Sequence, residues 1–188
     1  MMGPAGLLSP LSRKALFPGL TFLGGSHMSQ PDIVFARIDN RLVHGQVGSS
    51  WVGAAKANLV VVADDEAAAD PLQQSLMKMT TDAAGVGIRF FSVQKTIDII
   101  GKASPKQHIF LITRTPAAMR AIIESGVAVK EVNIGNLHAG DGKRNFVEKH
   151  VYVDDQDLAD LAAIRATGAK VYIQILPTER KYENLALS

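Results

Sequence analysis

The stretch QHIFLITRTPAAMRAIIESG, residues 107–126, decides the architecture. Its first part, QHIFLITR (107–114), is an apolar run of strand length without strict alternation, the pattern of a strand covered on both faces. The pattern then changes. Thr115 suits a helix N-cap, Pro116 a first helical turn and Gly126 a helix stop, so residues 115–126 read as a helix. A buried strand leading directly into a helix is the repeating half of a βαβ unit.

The same alternation runs outward in both directions. Upstream, DIVFARI (32–38), NLVVVAD (58–64) and VGIRFFSV (86–93) read as strands. They are separated by the helical segments GQVGSSWVGAAKA (45–57) and AADPLQQSLMKMTTDA (68–83), and QKTIDIIGKA (94–103) follows the third strand. In the second of these helices Leu72, Leu76, Met77 and Met79 fall near helical spacing, which predicts an apolar face, and Pro71 suits the first turn. Downstream, VKEVNIGNL (129–137), KHVYVD (149–154) and KVYIQIL (170–176) read as strands, and HAGDGKRNF (138–146) reads as a polar loop. Residues 155–170 form an amphipathic helix with Leu158, Leu161, Ile164 and Ala166 on one side and Gly168 closing it. The expectation is an α/β fold: a single doubly wound domain whose mainly parallel sheet of about seven strands is covered by helices on both faces.

Composition bounds the function. The chain has 188 residues, 47% hydrophobic and 20% charged, which suits one globular domain. The net charge is +2, and Arg13 and Lys14 account for the excess, so no nucleic-acid partner is expected. Cysteine is absent, which excludes disulfides and thiolate chemistry and fits the cytoplasm. No apolar run is long enough to span a membrane. Residues 1–28 differ from the rest. They read as a non-native or mis-started extension, disordered and without function, ahead of a domain at 29–188. GSHM at 25–28 is a common remnant of tag removal.

The chemistry concentrates in ARIDNRLVHGQVGSSW (36–51), directly after the first strand. On a doubly wound sheet ligands sit at the carboxyl ends of the strands, so this loop lies at the functional rim. His44 precedes Gly45 and a helix start, whose free N–H groups form an anion site. Arg37 and Arg41 can pair with phosphate, Asp39 can orient an imidazole, and a neutral histidine is a nucleophile toward phosphorus. The set suits phosphoryl transfer, which depends on positioning and charge stabilisation. His138 in the Gly-rich loop is a further candidate to line the site, while His108 and His150 begin strands and read as structural. GDGK (140–143) lacks the Walker spacing, no G-x-G-x-x-G follows the first strand, and no histidine spacing suggests a metal. ADDE (63–66) is acidic enough to bind Mg²⁺, but it reads rather as a solvated helix start.

The segment IVFARIDNRLVHGQV closely resembles the first-strand motif of the enzyme IIB subunits (EIIB) of the mannose/fructose/sorbose class of the bacterial sugar phosphotransferase system. Further matches are VVADDEAAADPLQQSLMKM, VNIGNLHAGDGK, VYVDDQDLADL and GAKVYIQILP, so the resemblance covers about residues 32–180. It implies a cytoplasmic phosphocarrier without metal or organic cofactor, associated with the inner face of the membrane through its partners. The implied donor is a phosphohistidine of enzyme IIA (EIIA), and the acceptor is a sugar held by the membrane subunits EIIC/EIID. His44 would carry the phosphoryl group on Nδ1, the pros nitrogen. Arg41 and Asp39 would support transfer, and Gly45 and Gln46 would offer backbone amides, with Arg37 a clamp or scaffold. A homo-oligomer remains open. Asn40 stands where the motif often has a second acid, and the tail LPTERKYENLALS departs from the usual closing segment. Two segments look most like N-acetylgalactosamine or galactosamine members. The rival readings are a regulatory module that binds partners without onward transfer and an unrelated phosphate-ester hydrolase using His44.

Overall fold

The computed structural model describes residues 31–187; the expected extension at 1–28 lies outside them. The strands are β1 (Asp32–Asp39), β2 (Leu59–Ala63), β3 (Gly87–Phe91), β4 (His108–Thr113), β5 (Glu131–Asn136), β6 (Arg144–Phe146), β7 (Glu148–Val153) and β8 (Lys170–Ile173). The helices are α1 (Val52–Ala55), α2 (Asp65–Ala69), α3 (Pro71–Ala83), α4 (Val93–Ile99), α5 (Pro116–Glu124) and α6 (Asp155–Ala166). Six strands form the main sheet in the order β3-β2-β4-β1-β5-β8, and every pairing in it is parallel.

Two apolar layers sandwich this sheet. Along β4, Ile109 and Leu111 enter a cluster with Met119, Ile122, Leu161 and Ile164. The alternate residues Phe110 and Ile112 enter a second cluster with Trp51, Val52 and Met77. The period of two places successive side chains in different cores, which is why the strand reads as a continuous apolar run. The α5 boundaries follow the sequence: Thr115 accepts a hydrogen bond from the Ala118 N–H, Pro116 opens the helix and Gly126 has φ +99°. A positive φ there costs glycine nothing.

The structure departs from the expected pattern in three places. The sheet has six strands rather than seven, because KHVYVD leaves it: β7 pairs antiparallel with β6, a short strand inside the segment read as a loop. Both lateral sides of β5 are already occupied by β1 and β8, and only an isolated Leu137–Val151 bridge links β7 to the end of β5. In α3 Met77 and Thr81 face inward, while Leu72, Leu76 and Met79 are exposed. The inward positions are one helical turn apart, and the apolar 72/76/79 stripe lies on another side. In α6 Leu158, Leu161 and Ile164 are buried as expected, but Ala166 is exposed.

The closing segment contributes to the core. Tyr182 exchanges two backbone hydrogen bonds with Ile173 along the free edge of β8, and Leu185 and Leu187 are buried in the α5/α6 layer. The Trp51 indole N–H donates to the Ile175 carbonyl at 2.9 Å, tying the other layer to the same segment. Covering an edge strand this way removes a site for unwanted pairing. Leu185→Ala is therefore expected to lower stability by about 2–3 kcal/mol, measured as a shift in the urea unfolding midpoint at constant slope.

Candidate functional site

The order of the sheet fixes where the site lies. From β1 the chain crosses by α1 toward β2, and from β4 it crosses by α5 toward β5, in the opposite direction. The carboxyl ends of the adjacent strands β1 and β4 thus flank a topological switch point, where the connecting loops part and leave a crevice. The residues after β1 occupy it.

Beneath this rim lies a charged pair. Strand alternation puts Phe35, Arg37 and Asp39 on one face of β1. Arg37 and Asp39 are both fully buried, and the guanidinium donates to Asp39 Oδ2 from Nε at 3.2 Å and from Nη2 at 2.9 Å. Arg37 Nη1 donates to the Asn133 side chain and to the Gln174 carbonyl, and the guanidinium lies 5.2 Å from the centre of the Trp51 ring. Gly135 on β5 makes room for it: a Cβ there would fall 1.8 Å from the guanidinium carbon. Burial drives the Arg37 pKa downward, against the opposing pull of Asp39.

Arg37 therefore does not reach the surface as a phosphate clamp. It is a scaffold cation under the site, and its sequence pattern is that of a charged strand residue whose counterion sits two positions on. Asp39 is likewise not aimed at the imidazole. Its Oδ2 holds Arg37, and its Oδ1 accepts the Arg41 backbone N–H at 3.0 Å, with the Arg41 side chain 3.9 Å away.

The loop turns sharply above this pair. The Leu42 N–H donates to the Asp39 carbonyl at 2.9 Å, and Leu42 is fully buried with φ +54°. A left-handed leucine is uncommon, and such backbone strain concentrates at functional sites. His44 Nδ1 meets the Leu42 carbonyl at 2.9 Å. A carbonyl only accepts, so Nδ1 carries the proton and Nε2 the lone pair in this orientation. Nε2 is buried without a protein hydrogen-bond partner. The nitrogen that the resemblance points to, Nδ1, is thus engaged in the ring orientation seen here.

His44 also starts the helix. Its carbonyl accepts the Gly48 N–H at 3.0 Å, and residues 45–55 are helical, with a π-helical turn at Val47–Trp51. The N–H groups of Gly45, Gln46 and Val47 belong to the first turn, where no carbonyl of the helix can accept them. Gly45 is exposed, Gln46 is exposed, and the Gln46 side chain accepts from Arg41 Nη2 at 3.3 Å. Arg41 itself is 44% exposed and is the cation of the motif that faces solvent. Trp51, at the end of the π-helical turn, stacks on Phe35 with ring centres 4.7 Å apart. Gly48 lets this segment touch α3, since a Cβ would meet the Thr80 side chain at 2.4 Å. A groove of about 710 Å³ opens there and reaches Gly45.

Two further residues at the rim, Asn40 and Arg114, were given no role by motif reading. Asn40 accepts the His138 N–H on its side-chain oxygen, donates to the Arg114 carbonyl at 2.8 Å, and its backbone N–H reaches the Asn136 carbonyl. Arg114 donates to both oxygens of Asp64 at 2.8 Å. Burial disfavours the Asp64 carboxylate, but the hydrogen bonds from Arg114 and the Ala67 N–H outweigh it and lower its pKa; the same pairing raises that of Arg114. Asp64 also caps α2 and Asp65 accepts the Val93 N–H, so the ADDE acids serve helix starts. His138 is exposed at the rim, and His108 pairs with Asp32 at the opposite end of β1. The signal for Asn40 and Arg114 was positional only: each is the polar residue that follows a strand. Asp39→Asn should leave the Arg37 charge without its counterion and cost about 3–5 kcal/mol in denaturant unfolding, a loss that an imidazole-orienting role would not produce.

Comparison with known proteins places the chain and its fold in a family. The family model described as the sorbose subfamily IIB component of the phosphotransferase system matches residues 33–187. The N-acetylgalactosamine-specific phosphotransferase enzyme IIB component 1 of Escherichia coli K12 is 53% identical over 82% of this chain and 97% of its own length. The crystal structure of the Escherichia coli N-acetylgalactosamine-specific IIB component 1 superposes with a TM-score of 0.77 at 52% identity, covering 80% of this chain and 97% of that one. An N-acetyl-galactosamine IIB component from Streptococcus pyogenes gives 0.75 at 35% identity, over 82% and 96%. The chain belongs to the sorbose subfamily of IIB components, the phosphocarrier subunits of sugar-transporting phosphotransferase systems.

Proposed function

We propose that His44 is the phosphorylated residue of this subunit. The observation that carries the reading is its position: an imidazole on the residue just before a helix, at the switch point of the sheet, three residues after the solvent-facing Arg41. First-turn amides, and Arg41, which reaches the Gln46 side chain, lend this rim positive potential that suits the negative charge of a phosphoryl group. In the first transfer the P–N bond of a donor phosphohistidine on enzyme IIA breaks as an N–P bond to His44 forms. In the second, that bond breaks as a P–O bond forms to a hydroxyl of a sugar bound by the IIC and IID membrane subunits, and the hydroxyl proton is released. The subunit acts in the cytoplasm, at the inner face of the membrane, with Asp39 supporting the loop from below and Gly45 and Gln46 supplying amides. No metal or organic cofactor takes part.

Attack through Nδ1, as the resemblance implies, requires its proton to reside on Nε2. The ring therefore releases the Leu42 carbonyl and changes tautomer before it accepts phosphate. The sugar is an amino sugar of the N-acetylgalactosamine class; the relatives at 53% and 46% identity bear that name. Selection among sugars rests with the membrane subunits.

His44→Ala is expected to abolish acid-labile phosphate acceptance from phospho-enzyme IIA, read by radiolabel or intact mass; persistent labelling would remove His44 from the role. Arg41→Ala should fold normally and accept phosphate about 10- to 1,000-fold more slowly in single-turnover transfer. An unchanged rate would remove Arg41 from the site.

A further inference from the structure

The loop that carries His44 is held from above as well as from below, by a belt of hydrogen bonds over the strand ends. The Asp64 backbone N–H, after β2, donates to Phe91 at the end of β3. The Asp64 carboxylate takes two hydrogen bonds from Arg114, after β4. Arg114 Nη1 donates to the Asn40 carbonyl at 3.1 Å, while the Asn40 amide returns a hydrogen bond to the Arg114 carbonyl at 2.8 Å. Asn40 continues to the Asn136 carbonyl and the His138 N–H at the end of β5. Arg114 Nη2 also reaches Gln73 on α3 at 3.4 Å. The belt crosses the switch point between β1 and β4 through the reciprocal Arg114–Asn40 pair.

We propose that Arg114 is a positioning residue for phosphoryl transfer, acting through Asn40 on the loop that bears Arg41 and His44; this rests on the phosphocarrier reading of His44. Arg114 is not a phosphate clamp. Its charge is matched by Asp64, with Glu66 Oε2 3.8 Å from Nη2, and four of its five N–H groups are committed to Asp64, Gln73 and Asn40. What it supplies is geometry. The planar fork reaches the carboxylate and the Asn40 carbonyl at once, which fixes the peptide from which Arg41, Leu42 and His44 descend. A lysine can keep the ion pair to Asp64, but a single ammonium cannot span both acceptors.

The test uses the full chain and phosphorylated enzyme IIA as donor. Arg114→Lys should melt within a few degrees of wild type. Its maximal single-turnover rate should fall about 10- to 100-fold, with the half-saturating donor concentration changed by less than about twofold. Asn40→Ala keeps the Asn40 carbonyl and the ion pair but removes the other half of the reciprocal pair, the side-chain hydrogen bond to the Arg114 carbonyl, together with the one from the His138 N–H. It should show the same split, and the double variant should be no slower than the slower single one. NMR gives a readout independent of transfer: the amide resonances of residues 41–44 and the His44 ring should shift in both single variants. An unchanged maximal rate in folded Arg114→Lys overturns the proposal, as does a loss confined to half-saturation, which would make Arg114 a docking residue. If wild type accepts no phosphate, the phosphocarrier reading fails instead. The NMR arm then decides alone, and unmoved 41–44 resonances sink the positioning role. Should Arg114→Lys not fold, Asn40→Ala carries both arms.

Discussion

The buried ion pair between Arg37 and Asp39 is the constraint on which the site depends. An arginine in the middle of a central strand would be expensive alone, because desolvation of its charge has nothing to offset it. Here the strand period supplies the answer two residues later on the same face. The consequences spread outward. Asn133 and the Gln174 carbonyl accept from Nη1, Gly135 must lack a side chain, and Trp51 must lie across the cation. The second oxygen of Asp39 then fixes the Arg41 amide and starts the turn that leads to His44. A charge pair within the sheet thereby sets the geometry of a loop at its rim. A hydrophobic pair of similar volume would stabilise the sheet as well or better, but it would offer no acceptor for the loop.

The same need explains why polar groups rather than apolar packing dominate the upper edge. Apolar contacts are non-directional and tolerate sliding, whereas a hydrogen-bonded belt fixes one register. Arg37–Asp39 and Asn40–Arg114 hold the loop from two sides, and between them Leu42 is pinned in a left-handed conformation with its side chain in the core. That conformation costs of order 1–3 kcal/mol and persists only where its surroundings over-determine it. Its effect is to aim the Leu42 carbonyl at the His44 ring.

Much of the fold was legible because its signals are local. The α5 boundaries rested on Thr115, Pro116 and Gly126, each acting through its own backbone. The strands β2 and β4 were continuous apolar runs because both faces are covered. What failed depended on partners distant in the chain. Nothing within KHVYVD says that both sides of β5 are already taken, and nothing within α3 says which side of a helix bearing Leu72, Leu76, Met77 and Met79 will meet the sheet. In the candidate site, the placement of His44 just before a helix, with Arg41 on the same loop, was readable from the motif. The divided labour of Arg37 and Asp39 was not, because it depends on Asn133, Gly135 and Gln174, about a hundred residues or more away in sequence. Asn40 looked like a neutral replacement for an acid. Its amide in fact donates to one carbonyl while its oxygen accepts from another strand end, a pairing that a carboxylate cannot make.

The resting ring orientation links this framework to the chemistry. With Nδ1–H held by the Leu42 carbonyl, the lone pair of the neutral ring sits on Nε2, which is buried. A phosphoryl group on Nδ1 and the hydrogen bond from Nδ1 to Leu42 exclude each other, because one nitrogen lone pair cannot serve both the N–H and the N–P bond. Under the proposed phosphorylation of His44 on Nδ1, the resting and phosphorylated forms therefore differ in at least the orientation of one ring and the partner of one carbonyl. The rest of the loop has no need to move: Arg41, Gly45 and Gln46 are placed by Asp39 and by the helix, not by the imidazole. In the proposed transfer, first-turn amides and Arg41 held in place around a single turning ring keep reorganisation small, which is the arrangement that electrostatic stabilisation of a transferring phosphoryl group requires.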